Sequence, residues 1–203
     1  MTRRLVPRVN AGSMADIAFL LLIFFLVSTT IETDYGIGKQ LPPIEDVQTD
    51  IVIKEKNLLE VRLNQNNEIS VDGVKMNISK LKEVVVAFLD NGGGSGNESC
   101  EYCRGKHDAI SSDNPGRAVI SLANSRETNY ATYIAVQNEL TAAYTKLRNR
   151  EAKRMYGVSY SEMKSNLQKT RNRDQILELN EKIKAIRSLY PERISEIMPV
   201  DSY

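Results

Sequence analysis

Side chains that carry out covalent chemistry are scarce in this chain. Among its 203 residues there are one histidine and two cysteines. All three fall in one short stretch, as Cys100, Cys103 and His107. No recognisable motif pairs a nucleophile with a general base, so the sequence does not support catalysis of a covalent reaction. The Gly-rich run at 92–94 is not followed by the Lys-Ser/Thr of a phosphate-binding loop, and no nucleotide site is predicted.

An excess of charge of either sign is also lacking. The chain has 27 Lys and Arg against 26 Asp and Glu, for a formal net charge of +1. A protein that binds a polyanion through its overall charge needs a larger positive balance. The hydrophobic content of 41% is ordinary. Composition by itself therefore names no function.

The most unusual stretch is residues 14–31, MADIAFLLLIFFLVSTTI, in which Asp16 is the single charged side chain. At 1.5 Å per residue such a helix covers about 27 Å, close to the roughly 30 Å hydrocarbon core of a bilayer. The stretch is predicted to be a transmembrane helix. An acid inside it costs about 2.5 to 3.5 kcal/mol on insertion scales. Either Asp16 relays a proton or another ion between helices, or it is a structural residue close to the headgroups.

Small and polar side chains accompany the acid. The predicted helix has a stripe of small residues beside Asp16, at the spacing that lets another helix approach closely, formed by Ala11, Ala15 and Ala18. Its outer end carries three hydroxyl side chains, Ser28, Thr29 and Thr30. We expect the helix to pack among other helices, because an acid that faced lipid would lack a partner.

Charges that flank the span predict its orientation. The tail, residues 1–13, carries three arginines and no acid, whereas Glu32 and Asp34 follow the span. Positively charged flanks stay in the cytoplasm, so the N-terminus is predicted to be cytoplasmic and the rest external. A cleaved signal peptide has a shorter apolar region without an acid, and cleavage is not expected. Residues 32–50, rich in Gly, Pro and acids, are predicted to be a linker.

Residues 51–203 are long enough for one compact domain, predicted to be a two-layer α/β domain of the α+β kind. Alternating apolar residues indicate strands, and Asp72-Gly73 indicates a tight hairpin turn. The predicted elements are strands at 51–54, 58–63, 68–71 and 74–76, a helix capped by Ser79 and ending at Asp90, a strand at 118–122, a helix capped by Asn129, and a last strand at 194–200.

Two segments add to this pattern. Residues 91–117 are predicted to be a flexible insertion, too rich in Gly and Ser to be packed throughout. Within it, Cys100 and Cys103 are expected to form a local disulfide in an oxidising compartment or to stay as thiols, although with His107 they could supply three zinc ligands. Residues 148–191 are predicted to be a helical extension. From 146 to 193 there are thirteen Lys and Arg against six Asp and Glu, which indicates a solvated helix face or a contact with anionic lipid or another envelope component.

The basic N-terminus, the small polar residues before Asp16, the aliphatic run and the Leu41-Pro42-Pro43 linker together resemble the ExbD/TolR family of energy-transducing inner-membrane proteins. The strand, hairpin, helix, strand, helix order that follows resembles the family's periplasmic domain, and Tyr130 stands where the family usually carries a tyrosine. The insertion and the extension depart from the family pattern.

The resemblance implies a function for Asp16, namely that of the ion-translocating acid. It also implies two copies of the chain within a multi-span ring of the ExbB/TolQ type, driven by the ion gradient and acting on the outer membrane through TonB or TolA, with no cofactor and no metal. The alternative is a membrane-tethered periplasmic binding or scaffold protein in which Asp16 is only structural.

Overall fold

The computed structural model describes residues 11–28 and 53–197. The chain divides into two compact units, Met1–Thr49 and Asp50–Tyr203. The described part of the first unit is one helix, α1, Ala11–Ser28. Over the described residues, no helix has the length and apolar character needed to cross a membrane. The predicted span 14–31 ends outside them, because residues 29–31 are not described.

The described part of the second unit contains a five-stranded mixed sheet. Its strands are β1 Leu58–Leu63, β2 Ile69–Val71, β3 Val74–Met76, β4 Val119–Asn124 and β5 Ile194–Ile197. In space they lie in the order β3-β2-β1-β4-β5. The β1 strand pairs antiparallel with β2 and parallel with β4, and β4 pairs parallel with β5. The predicted last strand extends to residue 200, of which 198–200 lie outside the description.

Local sequence explains the hairpin side of the sheet. Leu59, Val61 and Leu63 alternate with more exposed residues along β1, and all three are buried. Asp72 and Gly73 have φ values of 48° and 78°, which is the conformation of the two-residue turn that this dipeptide favours. The predicted strand at 51–54 is wrong over its described part. Residues 53 and 54 lead instead into a 3₁₀ turn, Glu55–Asn57.

Two helices cover one face of the sheet, giving the predicted two layers. They are α2, Ile78–Leu89, and α3, Tyr130–Tyr156. Leu81 and Val85 of α2 and Leu140 and Tyr144 of α3 share one buried core with the inward residues of β1 and β4. Asn129 caps α3 as predicted, accepting from the backbone N–H of Ala131.

The cap of α2 differs from the prediction. The structure assigns it to Asn77, whose side chain accepts from the N–H of Ser79 at 3.0 Å. Ser79 itself lies inside the first turn of the helix. Asparagine and serine are similarly good caps, and the two positions compete in the sequence.

The extension is helical, as predicted, and has a small core of its own. Gly157, with a φ of 73°, ends α3, and then follow α4, Tyr160–Lys169, and α5, Arg173–Leu189. Ser159 caps α4, and its side chain accepts from the N–H of Glu162. Five buried residues hold the three helices together, namely Ala152, Tyr160, Met163, Ile183 and Ile186.

The insertion is more tightly packed than its composition suggests. Asn91, Cys103, Ser112 and Asp113 are buried. Its glycines allow close approach rather than flexibility, since a Cβ built on Gly105 would lie 2.4 Å from the carbonyl oxygen of Asp90. The prediction equated glycine with mobility, whereas the structure uses it to lay the loop against the end of α2.

Candidate functional site

The sequence-predicted acid lies near the start of an apolar helix. Asp16 occupies the second turn of α1. Large apolar side chains on every side of this helix are more than a third exposed, Leu22 at 66% and Phe24 at 65% among them. No described residue forms an ion pair with Asp16. The helix therefore presents an apolar surface that carries one carboxylate.

The small-residue stripe does not share the face of the acid. An α-helix turns by about 100° per residue, so Asp16 lies about 100° around the axis from Ala15 and about 160° from Ala18. Ala11, Ala15 and Ala18 thus line a different face of α1 from Asp16, and their part in helix packing stays a prediction. The residues one turn before and after the acid on its own face are Gly12 and Leu20.

The hydroxyl group at the end of α1 has a local function. Ser28 donates from Oγ to the carbonyl oxygen of Phe25 at 3.2 Å. This bond satisfies one of the carbonyls that a helix end leaves without an intrahelical partner. Thr29 and Thr30, predicted to lie beside it, are outside the described residues.

A buried ionic cluster lies in the domain, where sequence analysis did not expect one. The guanidinium of Arg150, on α3, binds both carboxylate oxygens of Asp90 at 2.5 and 2.7 Å. The hydroxyl of Tyr190 donates to Asp90 Oδ1 at 2.8 Å, and Arg150 in turn donates to that hydroxyl at 2.8 Å. Since Asp90 follows α2 and Tyr190 follows α5, this cluster fastens the extension to the family-like part of the domain.

Burial and pairing set the protonation of the cluster. Burial alone would raise the pKa of Asp90, but hydrogen bonds from Arg150 and Tyr190 hold that pKa below its ordinary value. The bond to Asp90 raises the pKa of Arg150 despite its burial. Burial, reinforced by the Asp90 charge, raises the pKa of Tyr190. The groups are fixed as an anion, a cation and a neutral phenol, which suits a structural clamp and not proton exchange.

The insertion contributes to the same clamp. Tyr102 donates its hydroxyl to the carbonyl oxygen of Leu189 at 2.7 Å and stacks edge-on against Tyr190, with ring centroids 5.5 Å apart. The N–H of Gly105 donates to the carbonyl oxygen of Asp90 at 2.9 Å. Arg150 lies 60 residues after Asp90 along the chain, and Tyr190 lies 100 residues after it. No local periodicity could have grouped them, and the only signal was an Asp at a predicted helix end.

The cysteine segment holds Tyr102 in place. Cys100 and Cys103 are joined in a disulfide that closes a ring around Glu101 and Tyr102. His107 Nδ1 lies 2.9 Å from the carbonyl oxygen of Gly92. Within residues 11–28 and 53–197, no group of three or more His, Cys, Asp or Glu side chains is arranged to hold a metal ion. Sulfurs engaged in a disulfide are not thiolate ligands, so the zinc interpretation loses two of its three donors.

The described structure thus combines an apolar helix bearing one acid with a two-layer α/β domain and no assembled catalytic group. Residues 2–151 match the family model described as biopolymer transport protein ExbD/TolR. The match includes 150 of the 203 residues, and the chain belongs to the ExbD/TolR family, which confirms the resemblance drawn from its sequence. No individual curated protein is significantly similar to it.

Family membership carries general properties with it. Proteins of this family take part in energy transduction for biopolymer transport, are in general anchored in the inner membrane and are not enzymes. They generally work with partners of the ExbB/TolQ and TonB/TolA kinds. The match ends at residue 151, inside α3. The extension helices α4 and α5 therefore lie beyond the family model, as do β5 and Tyr190.

Proposed function

We propose that this chain is the acid-bearing subunit of a motor driven by the ion-motive force. In this proposal α1 and the residues that follow it span the inner membrane, with the N-terminus in the cytoplasm and the α/β domain in the periplasm. Asp16 accepts and releases the translocated ion. The chain works as a homodimer with a multi-span protein of the ExbB/TolQ kind and passes energy to a partner of the TonB/TolA kind.

The single observation that carries the proposal is the isolation of Asp16. It is the one charged side chain between residues 14 and 28, and the apolar side chains around it are exposed. An acid in an apolar span is costly, and such acids are found facing other helices or a water-filled path, where they bind ions or protons. Membership of a family concerned with energy transduction supports the same interpretation.

The face of α1 that carries Asp16 indicates where a partner helix contacts it. Gly12 lies one turn before the acid and Ser13 is close to it, so the backbone is least covered on the cytoplasmic side of the carboxylate. Leu20 and Ile23 follow on the same face. Small residues allow close helix approach in a membrane, and large aliphatic residues exclude water. A partner helix that approaches at Gly12 would enclose Asp16 between a tight contact and an apolar seal.

Substitution of the acid tests the proposal directly. Asp16→Asn preserves the size of the side chain and removes its ability to ionise. We expect it to abolish energy-dependent function in complementation of a deletion strain, while insertion, copy number and recovery of the multi-span partner stay normal. Asp16→Glu, which keeps the charge on a longer stem, is expected to retain a little activity.

A matched variant separates chemistry from packing. Leu21→Asn places the same amide on a different face of α1, about 140° around the helix axis from Asp16, and leaves Asp16 and the residues on its face intact. We expect it to keep a large part of the activity that Asp16→Asn loses. Full activity from an assembled Asp16→Asn protein would instead assign the acid a structural role and favour the tethered scaffold.

Orientation can be tested separately. Because three arginines precede the span and two acids follow it, an alkaline phosphatase fused after Tyr203 should be active and a cytoplasmic reporter fused there should be silent. The reverse pattern would overturn the proposed topology. Recovery of the protein only as an isolated monomer, across several mild detergents, would contradict the proposed assembly.

A further inference from the structure

The extension contains a set of cations for which folding provides no explanation. Thirteen Lys and Arg lie between residues 146 and 193. Four of them form ion pairs, namely Arg148, Arg150, Arg154 and Lys182. Eight others form no ion pair with a described residue, namely Lys146, Lys153, Lys164, Lys169, Arg171, Arg173, Lys184 and Arg193. Three acids of the same stretch likewise form no ion pair with a described residue, namely Glu162, Asp174 and Glu181.

Three of these cations meet at the turn between α4 and α5. Lys169 ends α4, Arg171 lies in the connection, and Arg173 begins α5. All three are exposed. Asp174 is the single acid among residues 169–174, so the turn has a local excess of positive charge. We name residues 169–173 together with Leu177 the hairpin tip.

Helix electrostatics makes the position of one of the cations notable. The N-terminus of a helix carries partial positive charge, which favours acids and disfavours Lys and Arg. Arg173 is the first residue of α5, and Arg171 precedes its cap, Asn172. Lys169 suits the C-terminus of α4, and Arg171 lies between the two helix ends, next to the C-cap Thr170 of α4 and the N-cap Asn172 of α5. Arg173 opposes the dipole of α5, so helix stability gives no reason for a cation at that position.

An exposed apolar side chain accompanies the charges. Leu177 lies four residues after Arg173, on the same face of α5, and is 56% exposed. The tip is also well ordered by its own hydrogen bonds. The backbone N–H of Thr170 donates to Asn166 O at 2.9 Å, and Thr170 Oγ1 donates to Gln175 Oε1 at 2.8 Å. A fixed basic turn with a protruding leucine has the composition of a segment that lies in a membrane interface.

We propose that the hairpin tip binds anionic phospholipid headgroups of the membrane that anchors the chain, with Leu177 entering the interface. Charge complementarity favours this ligand, because each Lys or Arg near an anionic membrane strengthens the attraction about fivefold. Chain length favours it as well. The 24 residues between Ser28 and Ile53 can span at most about 80 Å, so the anchoring membrane stays within reach. The proposal rests on the anchoring in the proposed function but not on ion translocation by Asp16.

A single tryptophan can report the contact, because the chain has none of its own. Leu177→Trp places the probe at the tip without disturbing the core. The full chain is reconstituted in vesicles of phosphatidylcholine alone, or of phosphatidylcholine mixed with phosphatidylglycerol, with brominated acyl chains as quencher. We expect a shift of emission to shorter wavelength and strong quenching in the anionic vesicles only. Both effects should diminish at 1 M salt, where charges are screened beyond about 3 Å.

Charge variants decide whether the tip is responsible. In the Leu177→Trp protein, the combined change Lys169→Gln, Arg171→Gln and Arg173→Gln is expected to abolish the lipid response. The matched control is the combined change Lys80→Gln, Arg117→Gln and Arg126→Gln, which removes three exposed cations outside the extension. None of the three forms an ion pair with a described residue, and this variant should preserve the lipid response. Unchanged folding of both variants is checked by their tyrosine emission during unfolding.

Three outcomes would overturn the proposal. They are equal emission in the two kinds of vesicle, a response that survives loss of the tip cations, and a response to a soluble anionic glycan but not to anionic lipid. The Asp16→Asn protein separates this inference from the proposed motor, since its tip should respond to lipid like the parent. Full activity of an assembled Asp16→Asn protein with an intact lipid response would count against the motor alone, whereas failed complementation by Asp16→Asn together with no lipid response in the Leu177→Trp parent would count against the tip alone.

Discussion

Two aspartates of this protein have opposite environments. Asp90 is buried in the α/β domain and accepts hydrogen bonds from Arg150 and Tyr190. Asp16 stands on an apolar helix, and no described residue forms an ion pair with it. A carboxylate whose partners are all internal is committed to holding the fold. One whose partners must come from elsewhere is available for an ion or another protein.

Breaking the ion pair between Asp90 and Arg150 should have the largest effect on the stability of the domain. Arg150→Met keeps much of the arginine stem but leaves Asp90 without its cation, which should lower the free energy of unfolding by about 3 kcal/mol. Unfolding of the full chain in micelles by guanidinium, followed by tyrosine emission, measures this, because α1 contains no tyrosine. Lys75→Met is the control, since its pair with Glu68 is exposed to solvent and should contribute little. Equal losses in both variants would contradict the clamp.

Loss of the disulfide should have a smaller effect. Cys100→Ser with Cys103→Ser opens a ring of four residues, for which chain entropy predicts a loss of about 2 kcal/mol at most. We expect a folded protein with full motor activity and with weaker protection of the Tyr102 segment in amide hydrogen exchange. An unfolded double variant would show that the insertion is needed for the domain to fold at all.

Low pH should weaken the ion pair of Asp90 with Arg150, and this effect on stability is expected to be smaller than that of losing the disulfide. The pKa of Asp90 is lower in the folded protein than its ordinary value near 3.9, so folding favours the ionised form. Its contribution is complete above about pH 4 and is lost as pH falls through the folded pKa. Asp113, held by Lys56 and Asn57 against its burial, behaves in the same direction. Asp90→Asn should therefore remove only part of the loss of stability at low pH, because Asp113 still contributes. Unfolding between neutral pH and about pH 2 measures this difference.

Substitution of Asp16 should have the smallest effect on the stability of the domain. Asp16→Asn should change the free energy of unfolding of the domain by less than about 0.5 kcal/mol, because Asp16 belongs to a separate compact unit of the chain and independent sites contribute additively. The same tyrosine-monitored unfolding gives the value. A loss comparable to that of Arg150→Met would mean that Asp16 supports the domain, and the contrast between the two acids would disappear.

Local patterns predicted those parts of the fold that depend on neighbouring residues. The alternation in β1, the Asp72-Gly73 turn and the Asn129 cap are set within a few residues, and all were predicted correctly. The cap at Asn77 was assigned to Ser79 because two good caps lie two positions apart. Asp16 was identifiable because its surroundings in the sequence are also its surroundings in the helix.

Features that depend on distant residues were not predictable in this way. Asp90 meets Arg150 and Tyr190 only after α2, α3 and α5 have packed. Gly105 appeared to be a sign of flexibility, although its lack of a side chain lets the insertion lie against Asp90. The position of the small-residue stripe relative to Asp16 depends on angles around the helix axis and not only on the spacing of the alanines.

The position of β5 has a consequence for the order in which the domain can form. The β4 strand lies between β1 and β5 in the sheet, yet β5 follows it by 69 intervening residues that include the whole of α3, α4 and α5. During synthesis, β1 to β4 can pair first, which leaves one side of β4 with unpaired backbone groups. The extension must then cross over before Ile194–Ile197 closes that side. Until it arrives, a second nascent chain can compete for the same edge, so the late helices also determine how long the domain is vulnerable to mispairing.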